Sequence, residues 1–395
     1  MNWNYVSLKD AIKTVENNTK PFGSAEVCDL DSAYGRILAD TVRAGVSVPP
    51  WHRSAVDGYA VRSADLKGRK KVALELQGRI HAGEFPGMRV GKGQCIAVAT
   101  GAPVPEGADA VVMLEFADVH ADKVTVPGGM TKWENISTKG LDIVEGRVVA
   151  KKGMRLTAGI IGSLASQGIA RIPVMARPEV AVIPGGDEIA AHGSKAEKAQ
   201  IYDVNSHVVA AIVSDAGGRA VVHDPVRDSA RDVADALDWG LEKDICVFVS
   251  GSSVGERDLT AAAIAGRGKL LFHGVRIRPG RPTMFGIVDG KPAFGLPGYP
   301  VSSFIGAHLL LRRCIMHMIG ERISGDNVII RQYSGRERAA REFMSIIPVR
   351  IDGERAYSVF KESGAITSMA AASGIVMLPA GAGIRNGQTV EIHLL

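Results

Sequence analysis

The chain has 395 residues, a formal net charge of +5 and a hydrophobic fraction of 46%, so its length exceeds one ordinary core and predicts two to four domains. Aromatic residues make up only 5%, and Lys and Arg form no long run, which argues against a nucleic-acid-binding protein. The mild basic excess favours small anionic ligands instead.

The N-terminal segment has no basic region followed by an apolar run, so we expect no signal peptide. The longest apolar stretch, around 304–311, is too short to span a bilayer. We therefore expect a cytoplasmic protein without a membrane partner. The four cysteines are far apart in sequence and form no CxxC pair, so buried free thiols are expected rather than a zinc site.

The first third of the chain predicts a helix followed by a β-domain. Ser7 precedes apolar positions at helical spacing, which is typical of a capped amphipathic helix. Between 71 and 126, short β-rich runs alternate with Gly/Pro turns, and an irregular polar stretch follows from 127 to 146.

The middle of the chain predicts a parallel, doubly wound sheet. A helix at 157–168, with Thr157 as its cap, precedes the apolar strand 179–184. Helices near 208–216 and 230–241 then alternate with apolar strands at 245–250 and 293–296, and a helix follows at 301–318. Beyond about residue 320, short strands alone predict a small all-β domain.

Ligands of such a sheet bind beyond the carboxyl ends of its strands. The first strand end there is GSSVGERD (251–258), whose glycines and serines suit an anion at a helix start. Its carboxylates suit a bridging Mg²⁺, although an ordinary Gly/Ser turn with an Asp cap is the commoner explanation. The segment GSSVG also fits a serine-hydrolase elbow at Ser253, but no later histidine lies in a recognisable motif, which disfavours that chemistry.

The second and third strand ends are VRIRPGRP (275–282) and AFGLPGYPVSS (293–303). Three arginines around a Pro-Gly turn favour oxyanion binding over exposed edge-strand arginines. In the third segment, Pro300 suits the first turn of a helix whose amides face an anion, although a plain strand-to-helix connection explains it equally well. Upstream, Glu188 and Asp203 are candidates to contact a metal or a ribose hydroxyl, or to act as helix caps.

These segments, in this order, resemble the molybdopterin molybdenumtransferase (MoeA/gephyrin) family. The resemblance also rests on PPWHRSAVDGYAVR (49–62), ATGAPVPEGADAVVMLE (99–115), KGLDI (139–143), PGGDEI (184–189) and IYDVNS (201–206), and it covers essentially the whole chain. It implies a multidomain α/β and β fold and a homodimer. The implied domains are a central doubly wound α/β domain (1–25 and 175–322), an extended linker domain (26–45 and 139–174), an inserted β-domain (46–138) and a C-terminal β-barrel (323–395).

The resemblance implies a Mg²⁺-dependent reaction in molybdenum cofactor biosynthesis. Molybdate would be inserted into adenylylated molybdopterin, with release of AMP. Implied partners beyond these small molecules are a molybdopterin adenylyltransferase and apo-molybdoenzymes that receive the product.

The resemblance also assigns roles to residues. Asp258, Asp228 and Glu188 would hold the metal and take part in catalysis, and Asp57, Thr100 and Asp142 would complete the cleft across the dimer interface. The implied substrate-binding residues are Gly251, Ser252, Ser253, Gly255, Asp203, Arg276, Arg278, Arg281, Pro297, Ser302, Arg341, Ser363 and Ser368.

The chain departs from the family pattern at a few positions. Arg278 and Arg281 stand where lysines are usual, which preserves charge but changes hydrogen-bond geometry. Ser250 replaces a glycine, Leu141 an acid and Tyr299 the commoner Asn. These changes leave open a non-catalytic pterin- or nucleotide-binding paralogue. A scaffold protein is a further hypothesis, as is the sister adenylylation of molybdopterin, which needs neither the inserted β-domain nor the barrel.

Overall fold

The computed structural model describes residues 5–190, 193–250, 259–321 and 327–395. Its central element is a six-stranded sheet in which the first four strands are parallel and the last two pairings are antiparallel. In spatial order these strands are Arg219–Val222, Glu179–Gly185, Ile245–Ser250, Lys291–Pro297, Met284–Val288 and Gly268–His273.

Helices cover both faces of this central sheet because its strands are apolar on both sides. Val247 and Val249 face the core under one helix layer, whereas Cys246 and Phe248 face the other. The first layer contains Leu8–Asn18, Asn205–Asp215, Pro300–Gly306, the π-helical turn Ala307–Leu311 and Arg312–Met318. The second layer contains Ala230–Leu241 and Leu259–Arg267. Continuous burial of this kind is typical of parallel sheets.

The inserted β-domain contains a second six-stranded sheet with a core on each face. Its strands, in spatial order, are Ala110–Met113, Gly58–Val61, Gln94–Val98, Lys71–Ile80, Lys123–Pro127 and Asp118–His120. The short helices Ser63–Leu66 and Leu114–Phe116 connect its strands.

Two-stranded ladders make up the extended linker region. They pair Ala25–Asp29 with Arg171–Met175 and Val42–Arg43 with Val148–Ala150. A further ladder, of Arg53–Ser54 with Ile136–Ser137, belongs to the inserted β-domain. The helices of the linker region are Leu30–Ser32 and Ala158–Ala165.

The C-terminal strands close into a five-stranded barrel, because Met344–Asp352 also pairs with Gly374–Leu378. Around the barrel the strands are Met344–Asp352, Arg355–Ser358, Val328–Ser334, Thr389–Leu394 and Gly374–Leu378. The short elements of this domain are the helix Thr367–Ala370 and the ladder of Glu337–Arg338 with Gly383–Ile384. In the central region, a short ladder pairs Ile189–Ala190 with Ile201–Tyr202. Strand Ile277–Arg278 pairs in parallel with Met344 and Ser345, which joins the barrel to the central region.

Local sequence signals located many of these elements. Ser7 and Thr157 accept hydrogen bonds from the amides of Asp10 and Ile160, as predicted for helix caps. The helix predicted at 301–318 is continuous but contains the π-helical turn, and strands Gly268–His273 and Met284–Val288 were not predicted. No helix among the described residues is both long and apolar enough to cross a membrane.

Candidate functional site

A cleft of about 1490 Å³ lies between the central α/β region and the barrel. Its walls come from the ends of central strands on one side and from barrel strands and loops on the other. The polar and aromatic lining residues are Glu188, Gln200, Tyr202, Arg278, Arg281, Tyr299, Ser302, Glu337, Ser345, Ser358, Phe360 and Ser363. Such a large concave site at the strand ends of a doubly wound sheet is the expected place for a ligand.

Arg278 and Arg281 give the cleft its positive charge, as the sequence predicted. Gly280 separates them at φ +103°, and a side chain there would lie 2.9 Å from Ile277 Cδ1, so the turn requires glycine. Arg278 is exposed and Arg281 half-buried. Two guanidinium groups on one turn can bind a tetrahedral oxyanion in bidentate fashion.

Ser302 and Ser363 meet in the cleft from opposite domains. Ser302 is buried in the first turn of helix Pro300–Gly306, and Pro297 ends the preceding strand. The amide of Val301 donates a 3.0 Å hydrogen bond to the carbonyl of Ser363, which ties the barrel loop to this helix. The two serines therefore extend the arginine wall with hydroxyl groups.

Carboxylates gather beside the cleft, where strand Glu179–Gly185 ends. Glu188 lines the cleft, and the amide of Asp228 donates a 3.4 Å hydrogen bond to Asp187 Oδ1. Burial and the negative charges of Asp187 and Glu188 raise the pKa of Asp228. No described group of three His, Cys, Asp or Glu residues has the spacing of a protein-only metal site. Because Mg²⁺ takes few carboxylates together with phosphate and water, this cluster still fits that ion.

Asp203 has a local structural role. Its carboxylate accepts hydrogen bonds from the amide (3.1 Å) and the hydroxyl of Ser206, at the start of helix Asn205–Asp215. Its neighbours Tyr202 and Val204 line the cleft, whereas Asp203 does not. A helix-capping role for this residue therefore has direct support.

Several predicted site residues do not line this cleft, among them Arg276, Arg341 and Ser368. Ser368 is fully buried and accepts a hydrogen bond from the amide of Lys361. Asp57, Thr100 and Asp142 are exposed in the inserted and linker regions. Gly251, Ser252, Ser253, Gly255 and Asp258 lie outside the described residues.

Sequence reasoning named Ser363 from the barrel but missed the other barrel residues that line the cleft wall. Glu337 is held by a 2.9 Å hydrogen bond from the hydroxyl of Tyr333, and Phe360 and Ser345 complete that wall. The sequence predicted only short strands in these segments, so no local signal marked these residues as part of a site. Tyr299, noted as a departure, lines the cleft with 67% of its surface exposed.

Two further departures from the family pattern lie in different surroundings. The hydroxyl of Ser250 is 3.5 Å from that of Thr260, so it contacts the next helix. Leu141 is 69% exposed. Neither residue lines the described cleft.

Three family models match successive parts of the chain. Residues 6–168 match the MoeA N-terminal region (domain I and II), 181–319 a probable molybdopterin binding domain, and 334–395 the MoeA C-terminal region (domain IV).

Full-length relatives agree with this assignment. A molybdopterin molybdenumtransferase of Staphylococcus aureus (strain MSSA476) is 32% identical over 402 residues, covering 99% of this chain and 96% of that protein. A protein of the same name from Staphylococcus epidermidis is 30% identical, covering 98% and 95%. The molybdopterin biosynthesis MoeA protein of Pyrococcus horikoshii OT3 superposes with a TM-score of 0.87 at 27% identity, covering 99% and 100%.

Proposed function

The chain belongs to the MoeA family of molybdopterin molybdenumtransferases, enzymes of molybdenum cofactor biosynthesis, and we propose that it inserts molybdate into adenylylated molybdopterin with release of AMP. One observation carries this proposal: Arg278, Arg281 and Ser302 converge in a cleft large enough for a nucleotide-linked pterin. Molybdate is a tetrahedral dianion, which these donors match. Mg²⁺ and positive groups would offset the charge that develops when the phosphoanhydride is cleaved.

Asp228 and Glu188 are the described residues that we propose to hold Mg²⁺, together with Asp258. Support comes from the closeness of the carboxylates: burial first, and then the negative charges of Asp187 and Glu188, raise the pKa of Asp228. A divalent cation would relieve that repulsion and neutralise phosphate oxygens. The residues of this chain would bind and orient the anions, and the apolar side chains of the barrel wall, Ile346, Ile347 and Phe360, would limit water.

We also propose a homodimer in which Asp57, Thr100 and Asp142 of one subunit complete the cleft of the other. Support comes from their position: all three are exposed in the inserted and linker regions and stay away from the cleft of their own chain. A cytoplasmic location, an adenylyltransferase partner and apo-molybdoenzyme recipients belong to the same proposal.

The test is AMP release from adenylylated molybdopterin, followed by chromatography with and without molybdate and Mg²⁺. We expect molybdate-dependent AMP release and a product that activates an apo-molybdoenzyme. Asp258→Ala should suppress the release while circular dichroism shows an unchanged fold. Tight pterin binding without AMP release would favour a binding paralogue, and ATP consumption with metal-free pterin would favour the sister adenylylation.

A further inference from the structure

The guanidinium of Arg278 lies over an aromatic ring from the barrel. Its central carbon lies 4.7 Å from the centroid of the Phe343 ring. The ring is half-buried, and Arg278 lines the cleft. A cation within about 6 Å of a ring centroid is attracted to the ring face.

Three segments of the chain fix the position of Phe343. The ring of Tyr5 meets it edge-on, with centroids 5.8 Å apart and an interplanar angle of 84°. The next residue, Met344, donates a 3.0 Å hydrogen bond from its amide to the carbonyl of Arg276. The N-terminal segment is attached in turn, because the amide of Arg276 donates to the carbonyl of Val6 at 2.9 Å. The ring is therefore held by both domains that form the cleft.

The contact with the ring leaves N–H donors of Arg278 for an anion. A guanidinium has five N–H donors in a rigid fork, more than one ring can engage. Among the ion pairs of the described residues, none involves Arg278. Arg278 is thus oriented by a ring rather than by a carboxylate. A carboxylate in that place would offset the positive charge of the guanidinium.

We propose that Phe343 is a positioning residue that holds the guanidinium of Arg278 ready to bind the oxyanion substrate. The inference rests on the proposed function for the identity of the oxyanion, molybdate. Without the ring, Arg278 would sample more rotamers, and ordering them would oppose anion binding. An effect of this kind acts equally on the bound ground state and the transition state, so it changes KM rather than kcat.

The test compares Phe343→Leu with Phe343→Tyr, which keeps a ring. Tyr357→Leu is the matched control, because Tyr357 also lies under a barrel arginine, Arg350, at 6.0 Å, but outside the cleft. At saturating adenylylated molybdopterin, Phe343→Leu should raise KM for molybdate about two- to five-fold, as expected for an exposed cation–π contact, with kcat unchanged. Phe343→Tyr and Tyr357→Leu should resemble the wild type.

Titration calorimetry with sodium molybdate gives a readout independent of turnover. Phe343→Leu should weaken binding by the same factor, and it should have no further effect in an Arg278→Gln background. An unchanged KM and Kd, a fall in kcat alone, or an equal effect of Tyr357→Leu would overturn the positioning role. Absence of AMP release by the wild type would contradict the proposed function, whereas the molybdate titration would still test Phe343.

Discussion

The carboxylate of Asp57 accepts two hydrogen bonds from Thr100, one from the amide at 2.9 Å and one from the hydroxyl at 3.0 Å. These bonds, the amide first, lower the pKa of Asp57. They join two segments that carry the family resemblance, 49–62 and 99–115. The pair therefore presents a fixed, ionised carboxylate on the surface of the inserted domain.

Removing the Thr100 hydroxyl should move the pKa of Asp57 towards its ordinary value. Thr100→Val keeps the amide bond, so part of the lowering should remain, and Thr100→Ser should behave like the wild type. Carboxyl carbon NMR during a pH titration measures this. Because the pKa of Asp57 is lower in the folded protein than in the unfolded chain, its carboxylate stabilises the fold above the unfolded-state pKa. This stabilisation is lost below about pH 4, as pH falls through the folded-state pKa. If Asp57 has the same pKa in Thr100→Val as in the wild type, the hydroxyl contributes nothing to the lowering.

Asp228→Asn should raise the melting temperature at neutral pH. The folded-state pKa of Asp228 is raised by burial and by the charges of Asp187 and Glu188. Its stabilising contribution is therefore complete below the unfolded pKa and is lost as pH rises through the folded one. The difference in melting temperature between Asp228→Asn and the wild type should shrink towards pH 4, near the ordinary pKa of Asp. Thermal melts at both pH values measure it.

The same two proteins test the magnesium proposal. Mg²⁺ should raise the melting temperature of the wild type more than that of Asp228→Asn, because binding to the folded state stabilises it. Equal shifts would place the ion elsewhere.

Arg155→Ala should loosen the attachment of the linker region to the central domain. Arg155 binds Glu321 through two 2.8 Å hydrogen bonds, and only 10% of the Glu321 side chain is exposed. An unpaired carboxylate there should cost about 2–3 kcal/mol of unfolding free energy, measured by urea denaturation. The control is Arg171→Ala, whose pair with Asp29 is largely exposed and should contribute below about 1 kcal/mol. Equal losses in both variants would contradict this.

Asn205→Ala should impair the reaction without unfolding the chain. Asn205 Nδ2 donates a 2.7 Å hydrogen bond to the carbonyl of Gly298, in the turn between Pro297 and Tyr299 that lines the cleft. Without this bond, the transition state would lose about 1.4 kcal/mol of stabilisation, which would lower kcat/KM for AMP release about tenfold. Asn18→Ala removes a 2.8 Å bond from the same type of amide group to the Thr14 carbonyl, which is exposed and outside the cleft lining, and should leave kcat/KM unchanged. A normal kcat/KM for Asn205→Ala would show that the turn holds its shape alone.

The sequence by itself determined the elements whose signals are local. Apolar runs predicted strands Glu179–Gly185 and Ile245–Ser250, and the caps Ser7 and Thr157 began helices as expected, because hydrophobic pattern and capping depend on near neighbours. The family resemblance, carried by ordered motifs, was confirmed over the whole chain.

Only the tertiary structure decided which residues share the cleft. It brought Arg278, Ser302 and Ser363 together in the cleft, whereas Asp57 and Asp142 do not line it. It showed that the carboxylate of Asp203 accepts a hydrogen bond from the amide of Ser206, at the start of a helix. It also supplied Phe343 beneath Arg278 across 65 positions of sequence. The physical reason is that a strand's pattern specifies which face is buried, whereas the partner of that face depends on how distant domains pack.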